Sequence, residues 1–192
     1  MPDPFAGDPR SNRERMLAGD PYIADDPELA AAMRRATRLA DEFARVAPAD
    51  PEAGRGLLTS LLGALGEDTT VRPPLYVDYG KHLTIGARTF VNFGLVALDC
   101  APIAIGDDCQ IGPNVQLLTA SHPIAPEPRR AKLETAAPIT IDDNVWLGGG
   151  AIVLPGVTIG DNSVIGAGAV VTKDIPANLV AVGNPARVVR PT

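Results

Sequence analysis

The chain is poor in aromatic side chains, and this shortage limits the kind of core it can build. Phe, Trp and Tyr make up only 4% of its 192 residues, although 45% of the residues are hydrophobic. Val, Ile, Leu and Ala must therefore fill the interior, which suits a narrow, regular core better than a bulky globular one. The length allows one domain with an appendage.

Cysteine is scarce as well, because only Cys100 and Cys109 are present. They form no Cys-x-x-Cys pair and cannot build a disulfide framework, so a cytoplasmic location is expected. No apolar run reaches the ~18 residues that cross a bilayer, and residues 1–16 lack the apolar stretch of a secretion signal. We therefore expect no membrane association.

An excess of positive charge is also lacking, since the net charge is −6 and the isoelectric point is about 4.9. Nucleic acids and anionic membranes are therefore not expected partners. Histidine occurs only as His82 and His122. One chain cannot supply the three histidines of a common zinc site, so we expect no metal and interpret His82 as a surface residue.

Helix signals are confined to the first third of the chain. Residues 1–12 are polar and rich in Pro and Gly, and we expect a flexible tail there. Asp26-Pro27 and Asp50-Pro51 are each typical of an N-cap followed by Pro in the first turn. Apolar residues then recur at helical spacing, and Gly66 stands where the last helix should stop. The sequence predicts a small helical segment over residues 13–70 whose apolar faces need a partner.

A period of six residues dominates the remaining chain. Six consecutive hexapeptides begin with an aliphatic residue, at Ile141, Leu147, Val153, Ile159, Ile165 and Val171. The same register appears earlier, at Ile85, Val91, Ile105, Ile111 and Leu117. Neither a helix nor a simple strand has this period. Three hexapeptides, each a short strand and a turn, close a triangular coil of about 18 residues. We predict a mainly β domain over residues 71–192, built as a parallel β-helix that ends in a C-terminal tail.

One segment interrupts the register. Residues 119–138 are polar, charged and rich in Pro, so we expect them to leave the coil as one long protruding loop. Long loops on rigid repeats often carry function. His122 lies in this loop, and an imidazole that is largely neutral near pH 7 can act as a base. The alternative is a surface histidine without a chemical role.

These features together resemble the maltose, galactoside and nodulation-factor O-acetyltransferases, from about Arg13 to Arg190. The stretches that carry the resemblance are Met16-Leu-Ala-Gly19, Asp78-Tyr-Gly80, Val91-Asn-Phe93, His122-Pro123, Asn144-Val-Trp-Leu-Gly148, Asn162-Ser-Val-Ile-Gly-Ala-Gly168 and Asn184-Pro-Ala-Arg187. The resemblance implies a left-handed β-helix, a homotrimer, and acetyl transfer from acetyl-CoA to a hydroxyl of a sugar or related acceptor. Acetyl-CoA would lie in a groove between subunits, and no metal would be required because the thioester is already activated.

The resemblance also implies roles for individual residues. His122 matches the general base, and Asn92 matches a ligand of the acceptor or of the carbonyl oxygen, although a structural Asn at a coil corner is the alternative. Gly149 and Ala167 match backbone contacts to acetyl-CoA, and Arg187 and Arg190 are candidates to bind its phosphates. The other residues matched to acetyl-CoA are Thr172, Lys173 and Trp146. Trp146 is expected to point outward, where it could instead pack between subunits.

The acceptor side departs from the family pattern. The candidate acceptor ligands are Asp78, Asn92, Asp99, Cys100, Glu134 and Asp25. Some relatives carry Ser at the position of Asp78. Some carry Asp at the position of Cys100, and this departure weakens an assignment to galactosides and makes the neighbouring Asp99 a substitute candidate. The family places an acid just after the Tyr of its Gly-x-x-Tyr segment, whereas here the acids come later, and Asp26 is also the expected helix cap.

Three alternatives remain open at this level. The acceptor could be an antibiotic or an amine, for which His122 would serve equally well. A non-catalytic hexapeptide scaffold would need neither a base nor phosphate-binding cations. The zinc carbonic anhydrases that also use this helix need three histidine ligands, which disfavours that class.

Overall fold

The computed structural model describes residues 5–192, and its architecture is mainly β. The four helices of the described residues are α1 (Asn12–Leu17), α2 (Pro27–Val46), α3 (Pro51–Leu61) and α4 (Pro126–Arg130). The expected flexible tail of residues 1–12 falls partly on residues 1–4, outside the described part of the chain. Among residues 5–192, no helix combines the length and apolar character needed to cross a membrane.

Short β-strands form most of the remaining structure. The strands before the long loop are β1 (Tyr22–Ile23), β2 (Ala64–Leu65), β3 (Thr70–Val71), β4 (Leu75–Val77), β5 (Leu83–Ile85), β6 (Phe90–Val91), β7 (Leu95–Leu98), β8 (Ile103–Ile105), β9 (Gln110–Ile111) and β10 (Gln116–Leu118). The later strands are β11 (Ala120–Ser121), β12 (Leu133–Ala136), β13 (Ile139–Ile141), β14 (Trp146–Leu147), β15 (Ile152–Val153), β16 (Thr158–Ile159), β17 (Val164–Ile165), β18 (Val170–Val171), β19 (Leu179–Val182) and β20 (Arg187–Pro191).

Three sheets make up a parallel β-helix, as the period of six predicts. Sheet 1 has the order β16-β13-β8-β5-β2, sheet 2 has β20-β19-β17-β14-β9-β6-β3, and sheet 3 has β18-β15-β10-β7-β4. The chain visits sheets 1, 2 and 3 in turn, so each passage is one coil. Strand neighbours are parallel except for β20, which returns antiparallel along β19 and turns the C-terminal tail into a hairpin.

The register shows how the coils differ in length. Thr84 pairs with Ala104 in the early coils, whereas Thr140 pairs with Thr158 in the late ones. The early coils are therefore about two residues longer, which accounts for the irregular spacing between Val91 and Ile105 in the sequence.

Aliphatic residues fill the interior of the coils. The repeat positions with no exposed surface include Ile103, Leu117, Ile139, Leu147, Val153, Ile159, Ile165 and Val171. Each such side chain contributes roughly 1.5–3 kcal/mol by leaving water. Because every residue of this set stacks on its equivalents in the coils above and below, stability accumulates from neighbour to neighbour.

Polar residues close the corners between sheets 1 and 2. The residues there with a left-handed backbone are Asp68, Arg88, Asp108, Asn144, Asn162 and Asn178. The Asn144 amide donates to Asn162 at 2.9 Å, and the Asn162 amide donates to Asn178 at 3.0 Å. This asparagine ladder links three successive coils, at positions where most side chains would be strained.

The helical segment closes the first coil. Asp26 caps α2 as expected, accepting hydrogen bonds from the backbone N–H groups of Glu28 and Leu29, and Asp50 caps α3. Phe43, Leu58 and Leu61 are buried in the same core as the aliphatic coil residues. The coils are thus the partner surface that the short helices require.

The placement of Gly66 at a helix end is wrong. Helix α3 ends at Leu61, and Gly66 follows strand β2 at the first corner, so the first coil begins inside the segment of residues 13–70. A Cβ at position 66 would lie 2.3 Å from the backbone nitrogen of Ala87, and only glycine fits this close approach between coils.

The long loop of residues 119–138 has structure of its own. It leaves sheet 3 as β11, continues through α4 and returns as β12. Strand β12 pairs antiparallel with β11 on one side and with β1 on the other, placing Tyr22 opposite Glu134. The N-terminal segment is therefore tied directly to the loop.

The asparagine ladder can be tested at Asn162. We expect Asn162→Ala to lower the free energy of unfolding by about 1–2 kcal/mol, since it loses two exposed hydrogen bonds and strains a left-handed residue. Asn162→Gly loses the same hydrogen bonds but tolerates φ of 61°, so it should cost less. Urea unfolding of both variants gives the comparison, and a glycine variant less stable than the alanine variant would contradict the role of backbone strain.

Candidate active site

His122 follows strand β11 directly and is exposed. Its imidazole makes no hydrogen bond or ion pair within residues 5–192. The next residues are held firmly, because the Arg129 guanidinium donates to the carbonyl oxygens of Pro123 and Ile124 at 3.0 and 2.8 Å. The loop therefore presents a free imidazole on a fixed support. Ile124 beside it is 94% exposed.

Three segments leave the β-helix at the same edge as His122. We call this edge, where sheet 3 strands end and the chain passes to sheet 1, the His122 edge. It carries the turn of residues 78–82 after β4, the turn of residues 99–102 after β7, and the long loop after β10. Because consecutive coils stack about 4.8 Å apart, these segments lie one above another.

Four side chains meet at the His122 edge in what we call the acceptor cluster: Asp78, Cys100, Tyr22 and Glu134. The Cys100 thiol donates to the Asp78 carboxylate with a sulfur–oxygen distance of 3.3 Å. The Tyr22 hydroxyl donates to Glu134 at 3.1 Å. Two carboxylates, a thiol and a phenol from distant parts of the chain thus form one half-buried polar group.

Burial governs the ionisation of the acceptor cluster. It raises the pKa of Asp78; the thiol hydrogen bond from Cys100 opposes this shift, and the nearby charges of Asp99 and Glu134 reinforce it. Burial, with the charge of Asp78, raises the pKa of the Cys100 thiol to about 12. Burial also raises the pKa of Tyr22. Cys100 and Tyr22 are therefore neutral hydrogen-bond donors at neutral pH.

Asp99 lies under the acceptor cluster rather than in it. It has no exposed surface, and its carboxylate accepts backbone hydrogen bonds from Asp78 and Tyr79 at 3.1 and 2.8 Å and from His82 at 3.1 Å. The carboxylate is thereby committed to the turn of residues 78–82. Asp99 thus fixes the backbone at Asp78 and Tyr79, and the contact with acceptor expected from the sequence stays a prediction.

Two further residues named from the sequence are Asp25 and His82. Asp25 is exposed and makes no hydrogen bond or ion pair among the described residues, and its role as an acceptor ligand stays a prediction. His82 is half-buried rather than on the surface, with its Nδ1 atom 2.7 Å from the carbonyl oxygen of Asp99.

A second set of predicted residues lies at another edge. We call the edge where sheet 2 strands end and the chain passes to sheet 3 the Asn92 edge. Asn92, Gly149 and Ala167 follow β6, β14 and β17 there. Beside them lies a recess of about 280 Å³, lined by Asn92, Gly149, Trp146, Pro113, Phe90, Gln110, Ile111 and Gly112. Trp146 is 56% exposed, in line with its outward position in the repeat.

The Asn92 edge offers unpaired backbone donors. Within residues 5–192, the N–H groups of Gly149 and Ala167 have no hydrogen-bond partner, while the following residue, Gly150 or Gly168, bonds to the coil before it. A Cβ at position 112 would stand 2.6 Å from the Gly149 nitrogen, so only glycine fits this close approach between coils. The sequence indicates Gly149 and Ala167 only through the family resemblance.

Most corresponding donors between sheets 1 and 2 have a side-chain partner. The N–H groups of Ala87, Asp107 and Asp143 each donate to the carboxylate of an aspartate one coil further, at 2.8 to 3.0 Å, whereas that of Asp161, in the last coil, makes no hydrogen bond within residues 5–192. Gly149 and Ala167 lie at equivalent corner positions but have no such carboxylate above them. The open donors thus follow from the absence of an acid at these positions.

Asn92 has a fixed amide orientation. Its Oδ1 atom accepts a hydrogen bond from the backbone N–H of Phe93 at 2.8 Å. The Nδ2 group makes no hydrogen bond within residues 5–192 and is free to donate. Asn92 is therefore a donor towards any ligand in the recess.

The remaining cofactor candidates lie apart from the recess. Thr172 and Lys173 are exposed just after β18, which places them at the His122 edge. Arg187 and Arg190 are exposed on β20, and their guanidinium groups contact only the backbone oxygens of Ala186 and Pro191 among the described residues. Both arginines therefore keep their full charge for an external anion.

The predicted residues are thus divided between two edges of sheet 3. His122, Thr172 and Lys173 lie where its strands end, whereas Asn92 and Gly149 lie where they begin. The four residues of β7 alone separate the two edges by roughly 10 Å or more. One chain does not bring the two sets together.

Tyr22 is a site residue that the sequence does not single out. It is fully buried, and its hydroxyl reaches a glutamate 112 positions away. Strand β1 has only two residues and therefore shows no periodicity. The Gly-x-x-Tyr segment before the Asp26 cap is the one local sign that could have identified it.

Comparison with known proteins identifies relatives along nearly the whole chain. The maltose acetyltransferase hexapeptide capping motif matches residues 15–66, and the bacterial transferase hexapeptide family matches residues 138–173. Nodulation protein L of Rhizobium leguminosarum bv. viciae is 48% identical over 93% of this chain and 94% of its own length.

Solved structures agree with this comparison. A maltose O-acetyltransferase from Clostridium difficile 630 superimposes with a TM-score of 0.93 at 42% identity, over 95% of this chain and 97% of the other. A hexapeptide-repeat acetyltransferase from Vibrio cholerae O1 biovar eltor, solved with acetyl-CoA, gives a TM-score of 0.88 at 39% identity, over 95% and 98% of the two chains.

The raised pKa of Asp78 leads to a test of stability against pH. A carboxyl whose pKa rises on folding makes the protein less stable as the pH increases above the unfolded value of about 3.9. We therefore expect Asp78→Asn, whose amide oxygen can still accept from Cys100, to be more stable than wild type at about pH 7. The gain should shrink as the pH falls towards about 4.

Urea unfolding at several pH values measures this difference. Asp25→Asn is the matched control, because Asp25 is exposed and has no partner among residues 5–192. The control should follow wild type at every pH. A gain for Asp78→Asn that is constant with pH would show that ionisation of Asp78 is not its source.

Proposed function

The chain belongs to the maltose, galactoside and nodulation O-acetyltransferase family of hexapeptide-repeat proteins, and on this premise we propose that it transfers an acetyl group from acetyl-CoA to a hydroxyl of a sugar or related acceptor. The observation that carries the proposal is the pair of uncovered N–H groups of Gly149 and Ala167 beside the Trp146 recess. A stable β-helix does not need these open donors, whereas a ligand with amide and carbonyl oxygens does.

The residues at the Asn92 edge fit acetyl-CoA. The Gly149 and Ala167 N–H groups donate to oxygens of the extended pantetheine arm, and Trp146 lines the recess beside it. Arg187 and Arg190 provide guanidinium groups for its phosphates. When bound, acetyl-CoA supplies an activated thioester carbonyl, so neither a metal nor a covalent enzyme intermediate is required.

His122 acts as the general base in this proposal. Its unpaired imidazole accepts the proton of the acceptor hydroxyl as that oxygen bonds to the acetyl carbonyl carbon, and gives the proton to the CoA sulfur as the carbon–sulfur bond breaks. The free Nδ2 of Asn92 donates to the carbonyl oxygen where negative charge develops, or to the acceptor. Both roles use atoms that have no hydrogen-bond partner within residues 5–192, the imidazole nitrogens of His122 and the Nδ2 atom of Asn92.

The acceptor cluster binds the acceptor. The carboxylates of Asp78 and Glu134 accept hydrogen bonds from sugar hydroxyls, and Cys100 keeps Asp78 in place. Neither carboxylate has a cationic partner among the described residues, and this favours an amine-bearing acceptor as the second candidate. Asp25 is a further candidate ligand of the acceptor.

The complete site requires a second subunit, and we propose a homotrimer. The two edges of sheet 3 carry complementary halves of the machinery, so the His122 edge of one subunit must face the Asn92 edge of the next. The almost fully exposed Ile124 beside His122 is suited to such a contact. Both cysteines are free and buried, and we propose a cytoplasmic location.

Removing the imidazole tests the role of His122. Release of CoA from acetyl-CoA, measured across a panel of sugars and amino sugars, should depend on acceptor and fall by about two or more orders of magnitude in His122→Ala. Glu127→Ala, an exposed change in the same loop, should keep wild-type rates. Equal activity in His122→Ala would rule out His122 as the base. If none of the acceptors tested supports CoA release with any of the three proteins, the result would favour a scaffold.

Mixed oligomers test the shared site. Chains carrying His122→Ala and chains carrying Asn92→Ala are each expected to be nearly inactive. When they are unfolded together in equal amounts and refolded, about a quarter of the interfaces should join an intact His122 to an intact Asn92 and recover activity. If each site lay within one chain, the mixture would stay as inactive as its components.

A further inference from the structure

A small pocket outside the candidate active site concentrates positive charge. It has a volume of about 190 Å³ and lies between α1, α2 and the turn of residues 78–82. We call it the basic pocket, and its lining residues are Arg13, Arg35, Lys81, His82, Met16, Leu29, Ala32 and Tyr79. Half of these side chains carry or can acquire a positive charge, and none is acidic, in a chain whose net charge is −6.

Two cations of the basic pocket, Arg35 and Lys81, are held in place without being neutralised. Arg35 donates to the carbonyl oxygen of Ser60 and Lys81 to that of Leu62, each at 2.9 Å. Neither forms an ion pair within residues 5–192. Arg13 has one carboxylate neighbour, Glu28, with a nitrogen–oxygen distance of 3.8 Å. Backbone carbonyls orient these side chains but leave their charge available.

The apolar part of the lining strengthens the interaction between these cations and a bound anion. Met16, Leu29 and Tyr79 are almost completely buried and form an apolar floor. An apolar wall lowers the local dielectric constant, so a charge bound there interacts more strongly than it would in water. His82 donates through Nδ1 to the Asp99 carbonyl, so its Nε2 atom is an acceptor in the neutral ring and donates to an anion only in the protonated ring.

We propose that the basic pocket binds a small oxyanion, a phosphate or carboxylate group. Its volume suits such a group, and the unpaired cations Arg35 and Lys81, with Arg13 beside them, supply the complementary charge. The pocket shares the turn of residues 78–82 with the acceptor cluster, since Tyr79 and His82 line it while Asp78 belongs to the cluster. The proposal does not depend on acetyl transfer, because it concerns binding alone.

The basic pocket is separate from the phosphate candidates of the cofactor. Arg187 and Arg190 lie on β20, at the last coil, whereas the basic pocket lies beside the first coils and the N-terminal helices. An anion in the basic pocket is therefore a second, independent ligand.

The three lysines of the chain, Lys81, Lys132 and Lys173, allow a site-specific test. The wild-type protein is treated with a trace amount of amine-modifying reagent in inorganic phosphate, in succinate, or in sodium chloride of equal ionic strength, and modification is measured by peptide mass spectrometry. Saturating phosphate should slow modification of Lys81 by at least about threefold relative to chloride. Lys132, exposed in the long loop, should not change.

Two matched arginine variants test whether protection of Lys81 arises in the basic pocket. Arg35→Gln removes a cation from the basic pocket, whereas Arg55→Gln removes one that also donates to backbone carbonyls, of Thr69 and Gly66, but lies outside it. Protection of Lys81 should be lost in Arg35→Gln and kept in Arg55→Gln. If Arg35→Gln does not fold, the comparison of Lys81 modification in the three salts, made on the wild-type protein, still tests whether the pocket binds an anion.

The outcomes separate the two chemical groups and the absence of a site. Protection by phosphate alone assigns a phosphate site, and protection by succinate alone assigns a carboxylate site. Equal modification of Lys81 in all three salts overturns the proposal. Equal protection of Lys81 and Lys132, or protection that survives in Arg35→Gln, overturns it too, because either shows a general salt effect.

Discussion

The stacking of one coil on the next is the constraint on which the whole structure depends. An aliphatic side chain must point inward at every sixth residue, and the chain must turn sharply between strands to keep that register. Each sharp turn exposes backbone N–H groups that need a partner. Between sheets 1 and 2 the partners are side chains of the adjacent coil, as in the bond from Asp107 to Asp143. At the Asn92 edge Gly149 and Ala167 have none within residues 5–192, and the same repeat that builds the scaffold thus leaves two N–H groups open, one above the other.

Stacking also explains how distant residues come to share a site. A segment that leaves one edge lies directly over the segments that leave that edge in neighbouring coils. Asp78, Cys100 and His122 therefore lie on three successive levels although the sequence separates them widely. The inserted loop starts and returns at adjacent coils, so closing it costs little more than closing a short turn. Strand β1 then joins Tyr22 to the loop through main-chain pairing with β12.

The sequence predicts the parts that repeat and misses the parts that occur once. The period of six identified the β-helix and its interruption, and the Asp-Pro pairs identified two helix starts. Gly66 was misassigned because a helix end and a coil corner both use glycine. The pairing of β1 with β12 has no local signal, since two-residue strands show no period. The burial of Asp99 could not be predicted from the sequence either. The repeat determines which residues point inward or outward within the strands, but not in the turns that follow sheet 3.

The division of the site between two edges follows from the same geometry. A triangular coil cannot bring its own corners together, because a rigid sheet lies between them. If a neighbouring subunit supplies the second edge, as proposed above, residues at both edges of sheet 3 can act on one ligand. Such a site would use a carboxylate with a raised pKa at Asp78, open N–H groups, and an unpaired imidazole at His122. Since the aliphatic core and the asparagine ladder stabilise the coils independently of these groups, the edges are free to carry polar groups that favour a ligand over the isolated chain.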